Sequence, residues 1–150
     1  MKGLINEGTT SLPITHPEMT RFWLSLQDGV DFVLKNFGRM LGGEIFIPKI
    51  PSYKITDVAT AIGPQCKQEI VGIRPGEKIH EEMITSSDSY NTHDLGTYYT
   101  ILPQHTRFKM DDYNAHFKAK KVPQGFNYNS GDNTDWVTVE EMRELINTKI

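Results

Sequence analysis

A single cysteine, Cys66, among 150 residues leaves no pair for an intramolecular disulfide, which suits a reducing cytoplasm. One cysteine also supplies no zinc knuckle, and His16, His93, His105 and His116 lack metal-ligand spacing, so no metal site is expected. No histidine or acid is placed to mark Cys66 as an activated nucleophile. No apolar run approaches the ~18 residues that cross a bilayer. Residues 1–7 are too polar for a signal peptide, so no membrane partner is expected and the chain reads as cytoplasmic. There is no excess of positive charge: the net charge is −3, which excludes a general nucleic-acid binder. The one basic cluster, Lys118, Lys120 and Lys121 close to Lys109, reads as a solvated surface. The glycine-rich phosphate loops are missing too. Gly38, Gly42 and Gly43 do not make G-x-G-x-x-G and follow a helical pattern, and no Walker A sequence occurs. His80-Glu81-Glu82 is no zincin helix, because position 84 is Ile84 where a second histidine is required.

What is present is ordinary globular material. Hydrophobic residues make up 37% and charged ones 23%, in one domain's worth of chain. A chain of this length buries roughly 70% of its unfolded surface, enough for a real core. Residues 1–7 read as the tail of a helix closed by Gly8, and a helix beginning at residue 1 suggests a preceding element. Leu12-Pro13-Ile14-Thr15 reads as extended, followed by a loop through His16 and Pro17. Ser25 with Asp28 makes a capping-box start for a helix over 26–38, with Val30, Val33, Leu34 and Phe37 on one apolar face. Glu44-Ile45-Phe46-Ile47 reads as a buried strand. Ile55, Val58, Ala59 and Ile62 define a second helix, closed by Gly63-Pro64, and Glu69-Ile70-Val71-Gly72-Ile73 a second strand. Two strands joined by a helix-sized crossover are expected to lie parallel. A short helix is expected over 78–84. Residues 86–133, with Asp111-Asp112 and the turn Asn129-Ser130-Gly131, read as long loops, with Tyr98-Tyr99-Thr100-Ile101-Leu102 as their strand. Thr138 and Glu141 cap a last helix whose apolar side is Val139, Met142, Leu145 and Ile146. The expected organisation is an α/β part over 1–84, a loop-rich segment over 85–136 and a terminal helix over 137–150. Two strands are too few for a doubly wound domain, so a sub-domain packed on something larger is expected.

Two local signals carry chemistry. In Ile70-Val71-Gly72-Ile73-Arg74-Pro75-Gly76-Glu77-Lys78 a strand delivers an arginine and a glutamate onto a tight turn. Pro75 fixes φ and Gly76 permits the dihedral that the turn needs. The planar fork of Arg74 suits a phosphate, and Glu77 suits ribose hydroxyls. A plain surface turn with an internal Arg–Glu pair fits the same residues. In Met19-Thr20-Arg21-Phe22-Trp23 an arginine stands beside two large aromatics, suited to a flat base and a phosphate. Taken alone, the residues fit core aromatics with Arg21 as an ion-pair partner better.

These segments, with Gly42-Gly43-Glu44-Ile45-Phe46-Ile47-Pro48-Lys49-Ile50-Pro51-Ser52 and Gly72-Ile73-Arg74-Pro75-Gly76-Glu77-Lys78-Ile79-His80-Glu81, closely resemble one family. It is the inverting UDP-N-acetylglucosamine 4,6-dehydratases, extended short-chain dehydrogenase/reductase proteins of the CapD-like polysaccharide biosynthesis group. The resemblance implies an α/β fold, the C-terminal substrate-binding part without the full Rossmann sheet. It also implies a family reaction: hydride moves from sugar C4 to NADP, water leaves across C5 and C6, and the hydride returns to C6. The product, a 4-keto-6-deoxy sugar inverted at C5, feeds pseudaminic acid and related surface glycans. Residue by residue, the resemblance puts Arg74 on the diphosphate, Glu77 on the ribose, Pro13, Ile14 and Thr15 along the uracil, and Arg21 at the nucleotide.

The family's NADP loop and Tyr-x-x-x-Lys pair have no counterpart here. Positions four after each tyrosine hold Asp57, Asp94, Leu102, Pro103, Phe117 and Asp132. The resemblance therefore implies NADP in the parent enzyme, no cofactor and no catalytic residue on this chain alone, and a missing Rossmann half or partner chain. It implies a UDP-sugar ligand and a homo-oligomeric parent, with apolar surface left open by the missing half. A UDP-sugar epimerase fragment and a non-catalytic UDP-sugar binding or interaction module are the alternatives.

Overall fold

The computed structural model describes residues 10–105 and 108–149, so the expected helix tail over 1–7 lies outside it. The chain forms two compact units: residues up to 23, 51–81 and from 129 on make the first, and 24–50 and 82–128 the second.

The first unit holds β1 (Ser11–Ile14), β2 (Thr20–Phe22), β4 (Ser52–Lys54), α2 (Ile55–Ile62), β5 (Lys67–Ile70) and α4 (Val139–Lys149). β1 and β5 pair in parallel, with Ser11 opposite Lys67 and Ile14 opposite Ile70. β2 and β4 pair antiparallel, with Arg21 opposite Tyr53. The expected helix over 55–62 is α2, closed at Gly63, whose N–H reaches the Ala59 carbonyl. Its stripe serves two clusters. Ile55 and Ala59 meet Leu12, Ile14 and Cys66, while Val58 and Ile62 meet Ala61, Val137, Met142 and Ile146 with Trp23, Tyr53 and Leu145. The capping box of α4 is formed: the Thr138 N–H and hydroxyl donate to Glu141 Oε2 at 2.8 and 2.9 Å.

The second unit holds α1 (Leu26–Phe37), β3 (Ile45–Pro48), β6 (Glu82–Ile84), a 3-10 turn at Asp88–Asn91, β7 (Thr92–Asp94), β8 (Tyr98–Ile101), α3 (Met110–Phe117) and β9 (Lys120–Lys121). The short β10 (Tyr128–Asn129) lies where the chain leaves it. Four of these strands form one antiparallel sheet in the order β3-β8-β7-β9. Its packing is aromatic: Phe32 and Phe46 meet the Tyr98 ring edge-on or tilted at 6.0 and 5.9 Å, and Tyr99 lies between Phe126 and Tyr128.

Several expectations are corrected here. The parallel crossover exists, but it joins β5 to β1, while β3 is antiparallel to β8. Of Glu44 to Ile47, Glu44 and Ile47 are buried and Ile45 is 59% exposed. The second strand ends at Ile70, and Val71, Gly72 and Ile73 are exposed. Residues 78–84 are not a helix; they end in β6, where Ile84 is fully buried. The segment taken for loops contains β7, β9 and α3, and Asp111-Asp112 forms the acidic first turn of α3. Ser25 caps α1 as expected, its hydroxyl accepting from the Asp28 N–H. The apolar face of α1 is open: Val33, Leu34 and Phe37 are 63, 66 and 75% exposed, and α1 packs through Phe32 and buries Asn36.

Two outcomes follow from these placements. Leu12 is fully buried between strand pair and helix, so Leu12→Ala should cost about 3 kcal/mol in urea unfolding of the chain. His93 in β7 is 6% exposed. Burial above all, and then Lys121 across the β7–β9 pair, hold its imidazole below the ordinary 6.5, against a weak contact with the Asn91 carbonyl. The unfolded chain then binds the proton more tightly. Stability is full above that ordinary value and falls as pH drops through it toward the folded value. Urea midpoints should decline between about pH 7 and 5, and His93→Gln should flatten that decline.

Candidate functional site

Parallel strands end on the same side of their sheet, and ligands of open α/β sheets bind beyond such carboxyl ends. Here β1 runs out into Thr15 and His16, and β5 into residues 71–77. The Val71 N–H donates to the Ile14 carbonyl at 2.9 Å, which ties the two exits together. The Ile14 side chain is fully buried, so Pro13 and Thr15 offer the accessible side chains at this place.

The expected turn at Arg74-Pro75-Gly76-Glu77 is formed. The Glu77 N–H donates to the Arg74 carbonyl at 3.1 Å, and Glu77 Oε2 accepts the Arg74 N–H at 2.9 Å. Gly76 has φ +85°, a conformation that a side chain would strain. The turn is therefore built by its own glutamate, which leaves the Arg74 side chain exposed. Among the described residues no ion pair engages its guanidinium. A planar cation with its donors open, on a turn beside two strand ends, is chemically suited to an anion such as a phosphate.

Arg21 is placed differently. Its Nε pairs with Glu81 at 3.2 Å, Nη1 donates to the Thr20 and Ile79 carbonyls at 2.6 and 3.2 Å, and Nη2 meets the Met19 sulfur at 3.3 Å. The charge also acts on Tyr53, whose hydroxyl pKa is pushed up by burial and partly held back by Arg21. The ion-pair reading of Arg21 is thus realised in the fold, and Trp23 packs edge-on to Tyr53 at 6.0 Å beside the α2–α4 cluster.

Beside Arg21 lies a polar set that the sequence reading missed. Thr20 Oγ1 is 2.8 Å from His80 Nδ1 and 2.7 Å from Ser130 Oγ, and Ser130 Oγ accepts the Glu81 N–H at 2.9 Å. The only signal available was adjacency: Thr20 precedes Arg21 as His80 precedes Glu81.

The sites set aside earlier have physical explanations in the structure. The N–H groups of Leu41 and Gly42 form a small anion nest, and Glu44 already fills it, at 2.8 and 2.6 Å. Gly42-Gly43 therefore offers no cradle for a dinucleotide pyrophosphate. Lys109, Lys118, Lys120 and Lys121 are exposed. Among the described residues no cluster of three metal-ligating side chains occurs, and no helix is long and apolar enough to cross a membrane.

Comparison with known proteins follows the same segments. A family model described as "Polysaccharide biosynthesis protein" matches residues 1–103. The chain is 52% identical over 151 residues to the UDP-N-acetylglucosamine 4,6-dehydratase (inverting) of Campylobacter jejuni subsp. jejuni serotype O:2, covering 97% of this chain and 45% of that protein. It is 38% identical to the UDP-glucose 4-epimerase of Rickettsia felis, over 90% of this chain and 40% of that one. The X-ray structure of Pen from Bacillus thuringiensis matches with a TM-score of 0.75 at 26% identity, over 97% of this chain and 43% of Pen. The chain thus spans about half the length of the curated relatives it matches. The described residues have the expected α/β class without a full Rossmann sheet. With the family model matched over residues 1–103, the chain belongs to the polysaccharide biosynthesis protein family.

Proposed function

We propose that this chain is the nucleotide-sugar-binding part of a cytoplasmic, inverting UDP-N-acetylglucosamine 4,6-dehydratase serving bacterial surface polysaccharide or pseudaminic acid-type sugars. The observation that carries the reading is the 52% identity to a dehydratase of that name across nearly the whole chain. The geometry supports it through the preformed Arg74–Glu77 turn at the exits of two parallel strands.

In this reading the diphosphate lies against Arg74, whose fork matches paired phosphate oxygens. Glu77 accepts from the ribose hydroxyls with the carboxylate oxygen that the turn does not use. Pro13 and Thr15 line the uracil, with Ile14 holding them through its buried side chain and its carbonyl on Val71. Arg21 acts at the nucleotide edge from a guanidinium already fixed by Glu81. These groups bind and orient. NADP would belong to the parent enzyme and would supply the hydride chemistry there. The Leu41 and Gly42 N–H groups here are occupied by Glu44, so this chain's residues do not fit that cofactor. The 38% identity to UDP-glucose 4-epimerases favours a second reading with the same UDP end and different sugar chemistry. The open stripe of α1, with Val33, Leu34 and Phe37, supports a further half or a like subunit as partner.

Calorimetric titration with UDP tests the reading. Wild-type chain should bind saturably, and Arg74→Ala should weaken binding by about tenfold or more, the worth of a charge-assisted hydrogen bond. Wild-type chain that takes up no UDP at millimolar concentration, or a variant that binds equally well, contradicts it.

A further inference from the structure

We propose that His80 is a positioning residue for the nucleotide turn, acting through a buried hydroxyl relay from Ser130 and Thr20. The inference rests on the UDP reading of Arg74 and Glu77 for its consequence, and on geometry alone for its mechanism.

Residues 71–76 are exposed and carry no regular secondary structure, so their order depends on the two ends of the loop. One end is fixed where the Val71 N–H meets the Ile14 carbonyl. The other is fixed at residues 79–81. There the Ile79 carbonyl accepts the Thr20 N–H at 3.0 Å and Arg21 Nη1 at 3.2 Å, and Glu81 pairs with Arg21. Ser130 closes the same place with two contacts on Glu81, its N–H on the Glu81 carbonyl at 2.8 Å and its Oγ on the Glu81 N–H.

His80, an exposed residue, adds one side-chain contact here, Nδ1 to Thr20 Oγ1 at 2.8 Å, and the relay has a direction. Thr20 is 3% exposed and Ser130 fully buried, so their hydroxyl protons need acceptors. Ser130 Oγ already accepts the Glu81 N–H. If Thr20 donated to Ser130, the Ser130 proton would have no acceptor among the described residues. The satisfied arrangement runs from the Ser130 hydroxyl to Thr20 Oγ1, and from the Thr20 hydroxyl to a lone pair on His80 Nδ1. Nδ1 is then the acceptor, and the ring's donor is Nε2. Its seat is equally specific. A Cβ at Gly131 would come within 2.6 Å of His80 Nδ1 and 2.7 Å of Cγ, so the ring lies against that glycine. A loop held at both ends loses less freedom when ligand arrives, which is how a residue remote from phosphate can set affinity.

The test uses the whole chain with UDP and amide hydrogen exchange. His80→Ala should weaken UDP binding about tenfold and speed exchange over residues 72–79. His80→Asn, whose Oδ1 can take the Thr20 proton, should restore both. Gly131→Ala should reproduce the loss and add nothing in the His80→Ala background, because its effect is the displaced ring. Nitrogen-15 imidazole spectra of the wild type should show an unprotonated, hydrogen-bonded Nδ1 at neutral pH, a readout that needs no variant to fold. Unchanged exchange over 72–79 in His80→Ala, or a protonated Nδ1, overturns the proposal. If wild-type chain binds no UDP, the nucleotide reading fails while exchange and the ring spectrum still decide the relay.

Discussion

The parallel pairing of β1 with β5 is the constraint on which the first unit depends. A parallel pair cannot be closed by a tight turn and needs a crossover. Here α2 supplies it, and its two-sided apolar stripe fills the space against the strands on one side and α4 on the other. The same pairing makes both strands exit together, so Thr15 and the Arg74–Glu77 turn share one end of the unit. The bond from Val71 N–H to the Ile14 carbonyl marks that place. Fold and site are therefore one consequence of one pairing.

Around that end the two motif segments meet each other before they meet any ligand. Thr20 and Arg21 face His80 and Glu81 in successive cross-links, the first a hydrogen bond and the second an ion pair. Arg21, with two carbonyls, a carboxylate and a sulfur around it, holds the base of the loop. Arg74, exposed on a turn closed by Glu77, presents charge outward. Two arginines in similar sequence settings thus serve different physical ends, and the difference lies in how many local acceptors the fold supplies.

Much of this was legible where the signal was local. The capping residues Ser25, Thr138 and Glu141, the stripe of α2, the Gly63 stop and the Arg74–Gly76 turn are all built by neighbours in sequence. Long-range pairing was not legible. β3 and β8 lie about fifty residues apart, and nothing in Ile45-Phe46-Ile47 distinguishes an antiparallel partner from a parallel one. Helix α3 escaped because two turns, with Met110, Tyr113 and Phe117 as the large apolar positions, are too short for the period to stand out. Residues 82–84 have ordinary helix formers, and tertiary pairing overrode them. The stripe on α1 was legible as apolar, but period reports a face and not what covers it. In the site, Arg74 and Glu77 could be read from a turn of four residues, whereas the Thr20–Ser130 contact joins positions 110 apart.

The most direct test of the central claim is a crystal structure of the chain soaked or grown with UDP. The account predicts the diphosphate against the Arg74 guanidinium, the ribose hydroxyls at Glu77 and the base along Pro13 and Thr15, beyond the ends of β1 and β5. Nucleotide bound elsewhere on the chain, with the Arg74 turn empty, would contradict it.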